Sequence, residues 1–270
     1  MVTNQEDSDF CTNFRISFES GGRISCVTFD TCFWISKLTD EENHADPTKK
    51  ESAIQMRKIY DFFTSTEKVV LLDTITWEFR QIIFDKFNTI YKEIWSLLKQ
   101  AKDRVEDGER EFNVAKEMKQ SMLNNPHLST FYSYLESRGL GFLTLLRLDN
   151  RVRLLQLLLD EKDKLLDYFE SFASSYFTIK VKELIFMWIA DNAKTFKEFS
   201  KSTPGIGKKD RYHILGCYFG SCDRFDYAIS FVTVDSTLLS LTSLFQEFFS
   251  ERRIDLRDQL ALIREKKVLN

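Results

Sequence analysis

The strongest constraint on the fold is an apolar stripe that repeats at helical spacing from Leu72 to Leu97. Apolar side chains recur every three or four residues, at Leu72, Ile75, Phe79, Ile83, Phe87, Ile90, Ile94 and Leu97. Charged residues lie largely on other faces, which is the pattern of an amphipathic helix packed on a core. Ser65 or Thr66 with Glu67 forms an N-terminal helix signal, and Gly108 offers a stop. We therefore predict one long helix from Glu67 to about Asp107.

Helical spacing continues on both sides of this stripe. "KKESAIQMRKIYDFF" predicts a helix before it, and a more polar helix should end just before Pro126, because proline disfavours helix in the residue that precedes it. A leucine-rich helical stretch follows, interrupted by "RGLG" at residues 138–141. We predict a mostly α protein, a multi-helix bundle of about eight to ten helices of roughly 11 residues each. We place one domain at residues 1–125 and a second, wholly helical domain at residues 126–270.

The N-terminal region is the exception to this helical pattern. In "NFRISFESGGRISCVTF", apolar and polar residues alternate from Phe14 to Glu19, and a second β-rich run follows Gly21 and Gly22. Period-two alternation on either side of glycines predicts a β-hairpin. Residues 38–52 are polar, contain Pro47 and are predicted to form a loop.

Composition limits the function classes. The 270-residue chain is 43% hydrophobic, which is enough for a sizeable core, and its 41 Asp and Glu nearly balance its 38 Lys and Arg. Any contact with a polyanion must therefore come from a local patch of charge. The five cysteines are an odd number in a chain too large to need disulfides, which favours free thiols in a reducing compartment.

The predicted location follows from the same reasoning. No stretch has the about 18 to 20 consecutive apolar residues that a membrane span needs, and the start "MVTNQEDSDF" is acidic where a signal peptide would be basic and then apolar. We expect a cytoplasmic or nuclear protein that contacts membranes only from the side.

Signatures of catalysis and of metal binding are missing from the sequence. The cysteines and the histidines His44, His127 and His213 lack zinc-ligand spacing, and there is no Gly-x-Ser-x-Gly or His-Glu-x-x-His motif. Acidic pairs such as Asp160-Glu161 are interpreted as solvated partners of nearby lysines. We therefore predict no enzymatic activity, no metal, no cofactor and no small-molecule substrate.

The stretch "KSTPGIGKKDRYH", residues 201–213, is the most chemically suggestive. It is not a phosphate-binding loop, because Gly-Lys-Lys-Asp lacks the required hydroxyl and the stretch follows a helix rather than a strand. We interpret it as a Pro-Gly helix break. It displays Lys208, Lys209 and Arg211 on a short loop, either as solvated charges or as an anion contact.

Two further basic sets are candidates for the same contact with lipid or RNA. Arg147 and Arg151 lie in an otherwise apolar helical stretch, where snorkelling from a buried helix is the alternative interpretation. Arg252 and Arg253 lie near the predicted last helix. Scattered phosphate contacts of this kind would give weak, salt-sensitive binding.

The layout resembles one known family. The run "RISFESGGRISCVTF", the aromatic "CFWISKL", the helical "KKESAIQMRKIYDFFTSTEK" and a helical remainder in 270 residues are similar to the matrix proteins of thogotoviruses. The resemblance implies an RNA-binding structural protein of the virion that lines the inner face of the envelope. Such a protein self-associates into a layer and bridges anionic membrane and viral ribonucleoprotein.

A second resemblance is local. "WIADNAKTFKEFSKS" resembles the central helix of nuclear-receptor ligand-binding domains, which implies a helical ligand-binding regulator with an enclosed apolar pocket of about 300 to 1,000 Å³. We predict the matrix-type structural protein, a homo-oligomer, and keep the regulator as the alternative. An enzyme of another class is the third hypothesis, and a cleft with clustered titratable groups would favour it.

Overall fold

The computed structural model describes residues 5–18, 24–44, 46–148, 150–222, 227–252 and 259. Contacts divide the chain into two units, each built from separated segments. The first unit comprises Met1–Phe33, Met56–Glu78 and Ala173–Asn270, and the second comprises Trp34–Gln55 and Phe79–Phe172. The predicted boundary between residues 125 and 126 therefore lies within the second unit.

Helices form most of the described chain. The α-helices are α1 Gln5–Thr12, α2 Thr31–Leu38, α3 Pro47–Thr66, α4 Asp73–Glu106, α5 Glu111–Asn124, α6 Ser129–Ser137, α7 Phe142–Leu146, α8 Arg151–Ala173, α9 Lys182–Asp191, α10 Ala193–Ser202, α11 Lys208–Cys222, α12 Ser236–Ser240 and α13 Thr242–Glu251. A 3-10 helix spans Glu41–Asn43. The predicted mostly α character is confirmed, although residues 38–52 are more helical than the predicted loop.

A five-stranded sheet forms the centre of the first unit. Its strands are β1 Arg15–Ile16, β2 Ile24–Phe29, β3 Lys68–Leu72, β4 Phe177–Ile179 and β5 Tyr227–Val232, and they lie in the order β1-β5-β2-β3-β4. Strands β5, β2, β3 and β4 are parallel, and among the strands of the described residues only the edge strand β1 is antiparallel. The predicted helical bundle with an N-terminal β-hairpin was therefore incomplete, because it lacked this sheet.

The structure differs from the predicted hairpin and from the predicted start of the long helix. β1 and β2 form where expected, but each pairs with β5, which lies between them. The hairpin turn falls at residues 19–23, outside the described residues. Lys68–Leu72 is a buried strand rather than the first turns of the long helix, which begins at Asp73.

Helices of the first unit cover both faces of the sheet. Phe29 of β2 packs on Tyr60 and Phe63 of α3, with ring centroids 5.0 and 6.4 Å away. Phe231 of β5, which pairs with Thr28, stacks instead on His213 of α11 at 6.0 Å. Neighbouring strand positions point to opposite faces, so α3 and α11 lie on opposite sides. Parallel sheets covered in this way have strands that are apolar throughout.

The second unit is a set of packed helices. Its core includes Phe79 stacked on Phe169 at 4.0 Å, and Tyr132 against Phe142 at 5.8 Å. The members of the predicted apolar stripe that lie in the first six turns of α4 are buried, namely Ile75, Phe79, Ile83, Phe87, Ile90 and Ile94. Its helix boundaries match the sequence signals, because α4 ends two residues before Gly108, α5 ends two residues before Pro126, and residues 138–141 separate α6 from α7.

None of the helices in the described part of the chain is both long enough and apolar enough to cross a membrane.

Candidate functional site

The candidate site lies at the carboxyl ends of the parallel strands. In open parallel sheets ligands bind beyond these ends, at the point where the chain switches from building the sheet in one direction to building it in the other. From β2 the chain adds β3 and β4 on one side, and it then returns to add β5 on the other side. The switch point is therefore between β2 and β5, where Asp30 and Thr233 follow the two strands.

Asp30 is held in place by the end of β5. Its backbone N–H donates to the carbonyl of Val232 at 2.9 Å, and the Thr233 hydroxyl donates to its Oδ2 at 2.7 Å. Burial raises the pKa of the Asp30 carboxyl, and the nearby charge of Glu78 raises it further, outweighing the opposing effects of Thr233 and His213. This carboxylate is thus oriented by the strands and costly to leave charged without a positive partner.

Glu78 reaches the same region from the second turn of α4. Its Oε2 accepts a hydrogen bond from Thr31 at 2.6 Å and lies 2.6 Å from Nε2 of His213, while Nδ1 of His213 lies 3.2 Å from the Thr74 hydroxyl. Burial acts to raise the pKa of Glu78, but the hydrogen bond and charge of His213 lower it overall. Glu78 therefore stays ionised beside a fully buried histidine.

Asp210 is the third carboxylate and lies in the first turn of α11. Its Oδ2 accepts the Gly207 N–H at 3.0 Å. Burial raises the pKa of its carboxyl, and the negative charges of Asp30 and Glu78 raise it further. The charge of His213 acts on all three carboxyl groups, so Asp30, Glu78 and Asp210 form one electrostatic neighbourhood, which we call the carboxyl-edge cluster.

Asp73, directly after β3, has a structural role at the same edge. Its Oδ1 accepts the backbone N–H groups of Val181 and Lys182, each at 2.9 Å. It thus ties the end of β3 to the chain that follows β4 and caps the start of α9. Burial raises the pKa of this carboxyl, against these hydrogen bonds.

Aromatic rings and lysines border the carboxyl-edge cluster. Trp77 of α4, Phe186 of α9, Phe196 of α10 and Tyr212 of α11 contact one another, with ring centroids 5.3 to 6.3 Å apart. Three ammonium groups lie over these rings, those of Lys182 and Lys209 over Trp77 at 5.7 and 5.8 Å and that of Lys208 over Tyr212 at 5.7 Å. We call these seven residues the aromatic–lysine patch.

The structure separates the three cations predicted to lie on one loop. Gly205 has φ +82° and lies in the predicted break between helices. Lys208, Lys209 and Arg211, however, lie in the first turns of α11 rather than on a loop. Arg211 turns back to donate to the Thr203 hydroxyl at 2.9 Å and to the carbonyls of Thr203 and Ser200 at 2.8 and 3.2 Å. Arg211 therefore fastens the helix break, whereas the two lysines face aromatic rings.

The other predicted basic residues that the structure describes have partners that do not belong to the carboxyl-edge cluster. In the second unit, Arg147 lies 3.8 Å from Glu111, and Arg151 donates to the Tyr91 hydroxyl and lies over that ring at 5.5 Å. In the first unit, Arg252 pairs with Glu198 and Glu251 and lies over Phe248 at 4.3 Å. Arg253 lies outside the described residues. Their predicted role in anion binding stays a prediction.

Among the described side chains, no group of three or more His, Cys, Asp or Glu residues is placed so that it could hold a metal ion. Cys26, Cys32 and Cys217 are not in disulfides, as predicted, and burial raises the pKa of each thiol. The carboxyl-edge cluster therefore contains only carboxylates as candidate oxygen ligands, and the buried thiols with raised pKa values are unreactive.

Sequence reasoning missed this cluster, and the sequence carries a signal for only one of its members, Asp30. Three apolar runs end in a hydroxyl residue paired with aspartate, in "VTFDT", "VVLLDT" and "SFVTVD". Each of these endings follows a parallel strand, β2, β3 or β5. A repeated apolar run that ends in such a pair therefore indicates carboxylates at one edge of a sheet.

Comparison with known proteins gives no further identification. No family model, no curated protein and no solved structure matches this chain. The resemblance to thogotovirus matrix proteins and the local resemblance to ligand-binding domains remain predictions from the sequence.

Proposed function

We propose that this protein is a hydrolase of phosphate diesters that binds a divalent cation at the carboxyl-edge cluster. One observation carries the proposal: Asp30, Glu78 and Asp210 come from distant parts of the sequence, and near the switch point of a parallel sheet the charges of Asp30 and Glu78 act on Asp210. Carboxyl groups with perturbed pKa values at such a position are typical of catalytic sites. The third hypothesis from the sequence, an enzyme without a recognised motif, thereby becomes the first.

The electrostatics of the cluster favour a cation. Within the described ion pairs, the only partner of these three carboxylates is His213, which pairs with Glu78. Asp30 and Asp210 have raised pKa values partly because of neighbouring negative charge, and a divalent cation would remove that cost. Carboxylate oxygens suit Mg²⁺ or Mn²⁺ rather than the softer metals.

The incomplete ligand set also fits this chemistry. Mg²⁺ is usually held by one or two carboxylates together with water and substrate phosphate, rather than by a cage made only of protein groups. A protein without substrate therefore need not present three preassembled ligands. Asp30 and Asp210 are the residues that we assign to the cation, with Glu78 as the third candidate because His213 occupies one of its oxygens.

The reaction assigned to the site is hydrolysis. A water oxygen forms a bond to phosphorus, one ester P–O bond breaks, and the departing oxygen takes a proton, which yields a phosphomonoester and an alcohol. A bound divalent cation lowers the pKa of water and neutralises charge on the phosphate oxygens. In the chain itself, Thr233 and Thr31 orient Asp30 and Glu78, and Lys209, whose charge acts on Glu78, offers a positive group for the phosphate.

The other functional hypotheses keep their own tests. A matrix-type layer predicts reversible homo-oligomers and binding to anionic liposomes at low salt, so sedimentation and liposome flotation examine it directly. A ligand-binding regulator needs an enclosed apolar pocket. Two depressions of about 340 and 300 Å³ are instead lined partly by charged residues, including Glu198 in one and Arg153 in the other.

Hydrolysis of bis(p-nitrophenyl) phosphate and of a labelled oligonucleotide, with Mn²⁺, Mg²⁺ or EDTA, tests the proposal. We expect activity that requires the cation. Asp210→Asn should reduce it by roughly 10²-fold or more, since a cation ligand contributes several kcal/mol to the transition state. Arg104→Ala, in the second unit, is the matched control and should retain the activity. Cation-independent activity, or full activity of Asp210→Asn, would contradict the assignment.

A further inference from the structure

The aromatic–lysine patch combines exposed ring surface with positive charge. Phe186 is 38% exposed and Trp77 and Phe196 are partly exposed, whereas Tyr212 is buried beneath them. Their edge-to-face and tilted contacts, such as 83° between Trp77 and Phe186, fix the rings against one another. Rigid, partly exposed rings of this kind offer flat faces to a ligand at little cost in entropy.

The lysines give the patch a charge that complements phosphate. Lys182, Lys208 and Lys209 come from two different helices and place their ammonium groups over Trp77 and Tyr212. A cation over a ring face is attracted to it and is held near the ring. The ammonium groups can contact phosphate, and the ring faces can contact a planar base. A nucleotide offers both groups, whereas a lipid or an acidic peptide does not.

Residues of the aromatic–lysine patch lie next in sequence to residues of the carboxyl-edge cluster, or to its partner His213, on both α4 and α11. On α4, Trp77 of the patch precedes Glu78 of the cluster. On α11, Lys209 precedes Asp210 and Tyr212 precedes His213, the partner of Glu78. The charge of Lys209 acts on Glu78 while its ammonium lies over Trp77, which places the two features side by side.

We propose that the aromatic–lysine patch binds unpaired nucleotides of a single-stranded nucleic acid. The bases stack on Trp77 and Phe186, and the lysines contact the adjoining phosphates. This inference rests on the proposed function, because it names the substrate class of the carboxyl-edge cluster. A duplex is excluded because its bases are stacked on each other and cannot lie on side-chain rings.

Fluorescence anisotropy with labelled 12-mers tests the proposal in EDTA, where no hydrolysis occurs. The probes are oligo(dT), oligo(U) and a duplex of equal length. We expect either single strand to bind more tightly than the duplex. Trp77→Ala and Phe186→Ala should each weaken single-strand binding by about five- to fiftyfold, the range typical of a lost stacking contact. Trp77→Phe should restore most of the affinity lost in Trp77→Ala.

The charge component has its own readout. Lys208→Ala with Lys209→Ala should flatten the slope of log affinity against log salt by about 0.7 for each phosphate contact removed. Phe112→Ala is the control for a lost exposed ring, because Phe112 is 64% exposed on α5 of the second unit. Urea unfolding verifies that each variant is folded. If Trp77→Ala does not fold, Phe186→Ala still tests the stacking surface.

The outcomes separate this inference from the proposed function. Equal affinity for single strand and duplex, or unchanged binding by both Trp77→Ala and Phe186→Ala, would overturn the patch as a stacking surface even if cation-dependent hydrolysis is found. Single-strand binding that depends on Trp77, in a protein without hydrolytic activity, would support the patch and reject the catalytic assignment. A preference for oligo(U) over oligo(dT), or the reverse, identifies which nucleic acid carries the recognised bases.

Discussion

The carboxylates around Asp30 and those around Arg104 have opposite surroundings. In the second unit, Arg104 binds Glu109 through two hydrogen bonds of 2.5 and 2.7 Å and Glu117 through one of 2.8 Å, at the protein surface. In the first unit, Asp30, Glu78 and Asp210 are buried or partly buried, and within the described ion pairs none of them contacts an arginine, although Asp210 and Arg211 interact through their charges. In the Arg104 network each carboxylate accepts a hydrogen bond from the guanidinium. In the carboxyl-edge cluster, burial and neighbouring negative charge raise the pKa of Asp30 and of Asp210, and this difference is why we assign function to it.

The largest expected difference concerns stability. Glu78→Ala removes the partner of the fully buried His213 and the acceptor of Thr31. We expect it to lower the free energy of unfolding by about 3 kcal/mol, the upper end of the cost of leaving buried hydrogen-bonding groups without partners. Arg104→Ala removes a solvent-exposed network and should change stability much less. Urea unfolding at pH 7 measures both, and similar losses in the two variants would remove the contrast between the regions.

A smaller effect should separate the basic residues of "KSTPGIGKKDRYH". Arg211→Ala leaves two carbonyls without a donor and should cost about 1.5 kcal/mol of stability, because hydrogen bonds to charged groups are worth roughly that much. Lys208→Ala with Lys209→Ala should leave the free energy of unfolding nearly unchanged. Unfolding curves for the two variants measure this. A destabilised lysine variant and an unaffected Arg211→Ala would reverse the assignment of structural and binding roles.

The smallest effect is a pH dependence of opposite sign in the two regions. The pKa of Asp210 is raised, so its contribution to stability is complete below the unfolded value of about 3.9 and is lost as pH rises through the folded pKa. The pKa of Glu109 is lowered by the hydrogen bond from Arg104, so its contribution is present above about 4.3 and is lost as pH falls through the folded pKa.

The two amide variants report these signs. Relative to the wild type, Asp210→Asn should gain stability as pH rises from 4 to 7, whereas Glu109→Gln should lose stability as pH rises through the lowered pKa of Glu109. Urea unfolding at pH 3, 5 and 7 gives the comparison. Parallel trends in the two variants would show that the carboxyl-edge cluster is not electrostatically distinct from the surface network.

The helices of this protein were predictable from the sequence, but the sheet was only partly so. Caps, glycines and prolines act locally, so the ends of α4, α5 and α6 follow from their own residues. Strand β3 is apolar after Lys68 and continues into α4 in phase with its apolar stripe, so periodicity alone assigned it to the helix. A parallel strand is recognised only with its partners, which are distant in sequence.

The same limit explains the missed site. Glu78 lies 48 residues after Asp30, and Asp210 lies 132 residues after Glu78. No local motif links the three. Only the parallel pairing of β2, β3 and β5 brings the ends of these strands to one edge. By contrast, the helix break at Pro204 and Gly205 was found from the sequence because it depends on adjacent residues.

Binding of Mn²⁺ is the most direct test of the central claim, that the carboxyl-edge cluster holds a divalent cation. Electron paramagnetic resonance of free Mn²⁺, titrated with protein in the presence and absence of inorganic phosphate, measures it. We predict that the wild type and Arg104→Ala bind Mn²⁺, more tightly with phosphate, and that Asp30→Asn and Asp210→Asn, verified as folded, lose this binding. Equal Mn²⁺ binding by all four proteins, or none by the wild type, would contradict the account.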